Sequence, residues 1–238
     1  MLLPTVQPQH APYEGFAEGD KINDHDVALG YIFEHYSECL PSFCALGKSM
    51  QKTVRFTQTK LGFNHGWLVQ AEAAPGPLFS TFKRVLSSKS DRVEESDVSF
   101  YFVHWVTDLA GAEPTPLRGS EKFVLKFPHP VLHSFISSFS LVGTLVDSSE
   151  TAVYEKFLLQ CWTGSQKELG APPRGKHAIA LMRLVVQVQH LPLQHRLLDA
   201  FSKLGKDDVE VLCREMSLTG CKGQDYESHS TVQGGPVF

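Results

Sequence analysis

One segment constrains the fold of this chain more than any other. It is DVSFYFVHWVTDLAGAEPTP, Asp97 to Pro116. Asp97 is suited to cap a helix, because its carboxylate accepts from the free backbone N–H groups of a first turn. Gly111 suits a left-handed C-terminal cap, and Pro114 and Pro116 prevent continuation. These signals bracket a helix of about four turns. Val98, Phe100, Tyr101, Phe102, Val103, Trp105 and Val106 are β-branched or aromatic and suit a buried strand as well. Buried strands rarely exceed about eight residues, so length favours the helix. Apolar residues lie on every side of it, which predicts a central helix enclosed by others. It is too short to span a bilayer, which needs about 20 apolar residues.

The rest of the chain carries helical periodicity. Apolar stripes recur over Val27 to Tyr36, Phe43 to Leu61, Leu78 to Leu86, Leu132 to Val142, Val153 to Trp162, Lys176 to His190, Leu193 to Leu204 and Asp207 to Leu218. Pro75-Gly76-Pro77 reads as a break. Asp207, with Glu210 three residues on, has the spacing of a capping box. Two-residue alternation and Asn-Gly hairpin turns are scarce. The expected fold is all-α, a single globular helical domain of about eight to ten helices around a central apolar helix; the runner-up is α/β with residues 98–106 as a buried strand. Residues 1–22 are expected as a flexible N-terminal arm, 23–220 as the helical domain, and 221–238 as a polar C-terminal tail, the start of a truncated continuation.

Composition narrows function by exclusion. The 238 residues are 42% hydrophobic and 20% charged, with a net charge of −4. No Lys/Arg cluster supplies the basic face that phosphate contacts require, so no nucleic-acid partner is expected. The five cysteines, Cys39, Cys44, Cys161, Cys213 and Cys221, have irregular spacing and no CxxC. They read as free thiols in a reducing compartment, with Cys39 and Cys44 as small core residues beside Pro41. The N-terminal stretch has no basic region followed by an apolar core, and the expected location is cytoplasmic.

Three patterns bear on chemistry. His104 and Asp108 lie at i and i+4, as do His129 and His133, and His65 sits upstream in FNHG. Imidazole and carboxylate on facing helices are what a divalent cation accepts, and a metal-bound water can attack a phosphate ester. The bland account is that His104 and Asp108 satisfy one another inside the core. The His104–Asp108 segment, over about ten residues, resembles the ligand helix of the HD-type metal-dependent phosphohydrolases, which are all-α. It departs from that family's pattern, in which the second His and the Asp are adjacent; the literal His25-Asp26 stands at a helix start, where Asp26 complements the helix dipole. The resemblance implies a divalent metal and a phosphate-ester or nucleotide substrate. The family's site is not carried over to these residues.

Gly170 to Lys176 has the GxxxxGK spacing of a phosphate loop, but His177 replaces the Ser or Thr and two prolines remove amide donors. What remains is an anion-binding expectation for Arg174 and Lys176 at a helix start. Finally, three tryptophans and 16 phenylalanines exceed what a minimal core needs. Phe135, Phe139 and Val142 form one stripe expected at an interface. With no pattern of catalytic strength, the expected function is a protein-binding or regulatory helical domain with a protein partner. The alternative is an HD-like hydrolase using His65, His104, Asp108, His129 and His133.

Overall fold

The computed structural model describes residues 13–59, 61–88, 93–111, 129–164, 169–188 and 190–227. The chain is all-α. Its helices are α1 His25–His35, α2 Pro41–Cys44, α3 Lys48–Thr59, α4 His65–Val69, α5 Pro75–Leu86, α6 Glu95–Gly111, α7 His129–Ser137, α8 Phe139–Gly143, α9 Glu150–Gly164, α10 Ala178–Gln187, α11 Leu191–Ser202 and α12 Lys206–Met216. Among the described residues no helix is long and apolar enough to cross a membrane. The proline-rich loop after Gly111 and the element expected at Ser120 lie outside the described residues. The chain divides into two compact units, Met1–Gly62 with Ser88–Thr107, and Phe63–Ser87 with Asp108–Phe238.

In the first unit α1 packs on α3. Asp24 caps α1: its Oδ1 accepts from the N–H groups of Asp26 and Val27 at 2.9 and 3.0 Å. The helices approach closely at Gly30, where an added Cβ would lie 2.6 Å from Thr59 Cγ2. In the described part of the expected N-terminal arm, Tyr13 packs edge-on against Tyr31 of α1, and Ile22 is buried.

The Glu95–Gly111 segment is helical, not a strand. Asp97 is not the cap but the third helical residue. Its carboxylate reaches back to the Glu94 N–H at 3.1 Å and accepts from the Thr53 hydroxyl at 2.8 Å, which ties this helix to α3. Tyr101 and Phe102 are buried, but Val103 is 60% exposed. Enclosure on every side is therefore corrected: an apolar residue on a helix is covered only where a neighbour happens to lie.

The second unit is built on α9 and α10, which pack together; α5 lies against α9, and α11 and α12 lie against α10. The buried Phe63 stacks on Phe79 and Phe82, and Phe79 meets Tyr154 edge-on. Pro75-Gly76-Pro77 is the first turn of α5 instead of a break, since a proline there lacks only an N–H that has no helical partner anyway. The capping box expected at Asp207 does not form. Gly205 precedes the first turn, and Glu210 turns outward to Lys176.

The described part of the expected polar tail is packed as well. Gly76 N–H donates to Thr219 O at 2.8 Å, Gln224 Nε2 donates to Glu150 Oε2 at 3.1 Å, and Glu227 N–H donates to Glu155 Oε2 at 2.9 Å. Tyr226 is buried beside Tyr154. Two glycines permit this strap. A Cβ on Gly76 would collide with the Gly220 carbonyl and lie 2.9 Å from Thr219 O, and Gly220 itself has φ +64°. Gly76→Ala is therefore expected to destabilise by about 1–3 kcal/mol, because backbone must move to admit the methyl group. Thermal unfolding measures this, and an unchanged midpoint would contradict the close approach.

Candidate functional site

His65 begins α4, whose preceding residue Asn64 caps it by accepting from Trp67 N–H at 3.2 Å. That cap turns the imidazole inward, where it is fully buried. The ring stacks on Phe135 with centroids 4.1 Å apart, and Phe63 and Phe139 flank it at 5.6 and 5.3 Å. Nε2 lies 2.6 Å from Ser138 Oγ, and the same hydroxyl lies 2.9 Å from Phe135 O. A carbonyl only accepts, so the hydroxyl proton goes to Phe135 O and His65 Nε2–H donates to Ser138 Oγ. Burial among phenyl rings pushes the imidazole down to about 3, so it is neutral. In this arrangement His65 cannot serve Ser138 as a base, and neither group meets solvent.

His104 is half-buried in the first unit, where its carbonyl accepts from Thr107 Oγ1 at 2.7 Å. His133 is exposed. The side chains of Asp108 and His129 lie outside the described residues. Among the described residues the one group of three possible ligands within 4.8 Å of each other is Asp24, His25 and Asp26, all exposed. It is accounted for as a cap: Asp24 holds the first turn of α1, and Asp26 Oδ1 accepts from Gln58 Nε2 at 2.5 Å.

At the anion-binding candidate, Arg174 is exposed and the Lys176 ammonium donates to Glu210 Oε1. His177 Nε2 lies 3.6 Å from the same oxygen. Lys176 holds the Glu210 carboxyl below its usual range. The charge expected to meet an anion already faces a carboxylate. The loop is fixed from behind by Trp162, whose Nε1–H donates to Gly170 O at 3.1 Å.

The expected interface stripe is corrected. Phe135 and Val142 are buried and Phe139 is half-buried, since their helices turn that face onto His65 and the core. The exposed apolar surface lies elsewhere. On α11, Gln194 Nε2 donates to Val185 O and Val188 O at 3.0 and 2.8 Å, which docks the helix on α10 through a polar anchor. Leu197, Leu198 and Phe201 are only half-buried, and Leu193 and Leu204 are 47% and 42% exposed. No described side chain of α11 is fully buried. Val211 and Leu218, on and after α12, are exposed too. Compared with protein-family models, with characterised proteins and with solved structures, the chain matches none of them.

Sequence reasoning missed Ser138 and Arg183, the latter inside an apolar helix. The run Ala178–Val186 did carry a signal, a lone arginine on an otherwise apolar face.

Proposed function

We propose that this chain is a helical protein-binding domain that receives a partner on the α11 stripe of Leu193, Leu197, Leu198 and Phe201, with Leu204 just beyond the helix end. The observation that carries this reading is the incomplete burial of a helix on which Leu193, Leu197 and Phe201 follow the i, i+4, i+8 spacing of a recognition face. Single exposed leucines are ordinary on soluble proteins. A row of them on one helix is a surface that association would remove from water. Covering Leu193 and Leu204 alone would contribute on the order of 1–3 kcal/mol.

The test is the double variant Leu193→Glu, Leu204→Glu. Both side chains already meet solvent, so stability should change by no more than about 0.5 kcal/mol per site. Proteins cross-linked to the wild-type chain in cells are expected to be lost from the variant. An identical cross-linked set in both, at equal stability, would reject the assignment of α11.

A further inference from the structure

Cys39 and Cys44 were expected in the core, and both are exposed. They stand on one compact turn. A 3-10 helix, Ser37–Cys39, runs directly into α2. Cys39 N–H donates to Tyr36 O at 3.0 Å, Leu40 N–H to Ser37 O at 2.9 Å, and Cys44 N–H to Leu40 O at 3.0 Å. Phe43, between the two cysteines, is buried and stacks on Phe33 with centroids 4.5 Å apart. That anchor pins the turn from beneath. The Cys44 thiol is folded back over the turn and donates to Ser37 O at 3.0 Å. Ser37 opens the 3-10 turn that ends at Cys39, so this bond holds the sulfur against the turn that carries Cys39. Leu40 caps α2, which puts Cys39 at N′ and Cys44 at N4, the two positions whose side chains meet across a helix start.

The remaining thiols are poor competitors. Burial pushes Cys161 up to about 12 and Cys213 up to about 11, and Cys221 is raised as well. A thiol held protonated is a weak nucleophile.

We propose that Cys39 and Cys44 form a redox-modified pair that closes to an intrachain disulfide under a hydroperoxide. The Cys39 sulfur, as thiolate, attacks the peroxide; an S–O bond forms, the O–O bond breaks, and the departing oxide takes a proton to leave as water or alcohol. Cys44 sulfur then attacks the sulfenic sulfur; the S–S bond forms, the S–O bond breaks, and hydroxide leaves as water with the Cys44 proton. The two sulfurs lose two electrons and the peroxide gains them. Closure strains the turn that seats Phe43, so oxidation acts on the packing of the first unit.

The full chain, reduced and desalted, is treated with hydrogen peroxide, quenched, denatured in alkylating agent and digested with trypsin. No Lys or Arg separates the two cysteines, so one peptide, Ile22–Lys48, carries both. The expected result is that this peptide loses both alkyl groups and is lighter by two hydrogen atoms than its reduced, unalkylated form, while Cys161, Cys213 and Cys221 remain alkylated. In Cys44→Ser the sulfenic acid is expected to persist on Cys39 and to be trapped by a cyclic 1,3-diketone. In Cys39→Ser, Cys44 should remain alkylatable. Full alkylation of both cysteines after peroxide, interchain bridging in their place, or no trapped sulfenic acid in Cys44→Ser would each overturn the proposal.

Discussion

Arg183→Leu is expected to lower the unfolding free energy by about 3–5 kcal/mol, read from urea denaturation at neutral pH. Arg183 lies in α10, the helix against which α9, α11 and α12 pack, and it is buried. Its guanidinium meets backbone carbonyls from the loop after α4 and from the C-terminal end of α12. Nε and Nη2 donate to Ala71 O at 3.2 and 3.1 Å, Nη2 also donates to Glu72 O at 2.9 Å, and Nη1 donates to Met216 O at 2.6 Å. The cation also lies 5.8 Å from the centre of the Tyr154 ring. Ala71 holds φ +51°, a left-handed conformation that costs an alanine about 1–2 kcal/mol. Leucine would fill much of the volume but leave those carbonyls without the donors that bind them. Gln187 would retain one bond to Ala71 O, at 3.3 Å. Arg183→Lys should fall between wild type and leucine, because an ammonium cannot span carbonyls in two directions from one plane. A loss below about 1 kcal/mol for Arg183→Leu would show that the carbonyls find other partners, and would remove Arg183 from its place as the clamp of the second unit.

The second large effect is a pH dependence. The folded value of His65 is pushed to about 3, below its ordinary 6.5, by burial. Between these limits the unfolded chain binds a proton that the native imidazole refuses. Stability is therefore complete above about pH 6.5 and falls as the pH drops towards 3, at up to ~1.4 kcal/mol per pH unit. Over the whole window the loss from this one residue is on the order of 4–5 kcal/mol. Glu150 adds to acid sensitivity only lower down. Its carboxylate, held by Lys83 and Gln224, lies below 4.5, so its contribution is present at higher pH and is lost as pH falls through that depressed value. The clean interval is thus pH 6.5 to 5. There His65→Phe, which keeps the aromatic stack and leaves Ser138 bonded to Phe135 O, should give a visibly flatter stability profile than wild type. Parallel profiles for the two proteins would mean that His65 charges without unfolding, and the buried neutral imidazole would be wrong.

These two residues also show how far the chain is readable without coordinates. Helix content was legible because it rests on local terms. The 3.6-residue period and the stop signals near Gly111 act within a few residues, and helices form where they predict. Element boundaries went wrong where a side chain chose a distant partner. Asp97 serves Thr53 as well as the helix start, and Glu210 serves Lys176 instead of a capping box. The candidate site was less legible. His65 was named as a candidate from its place in FNHG, but its partner Ser138 is 73 residues away and leaves no trace in spacing. The interface stripe was placed on Phe135 and Val142, which are buried, because amphipathic periodicity does not say whether the apolar face finds a neighbour.

Local residue chemistry by itself determined that this chain is helical, where most of its helices start, and that Cys39 and Cys44 lie close along the chain. Tertiary structure alone decided which helix is most surrounded, that α11 keeps its leucines half in water, and that Thr219–Glu227 is strapped to the core. The physical reason is range. Backbone hydrogen bonds and caps are settled within a turn or two, whereas burial depends on which surfaces meet after the chain has closed loops of tens of residues.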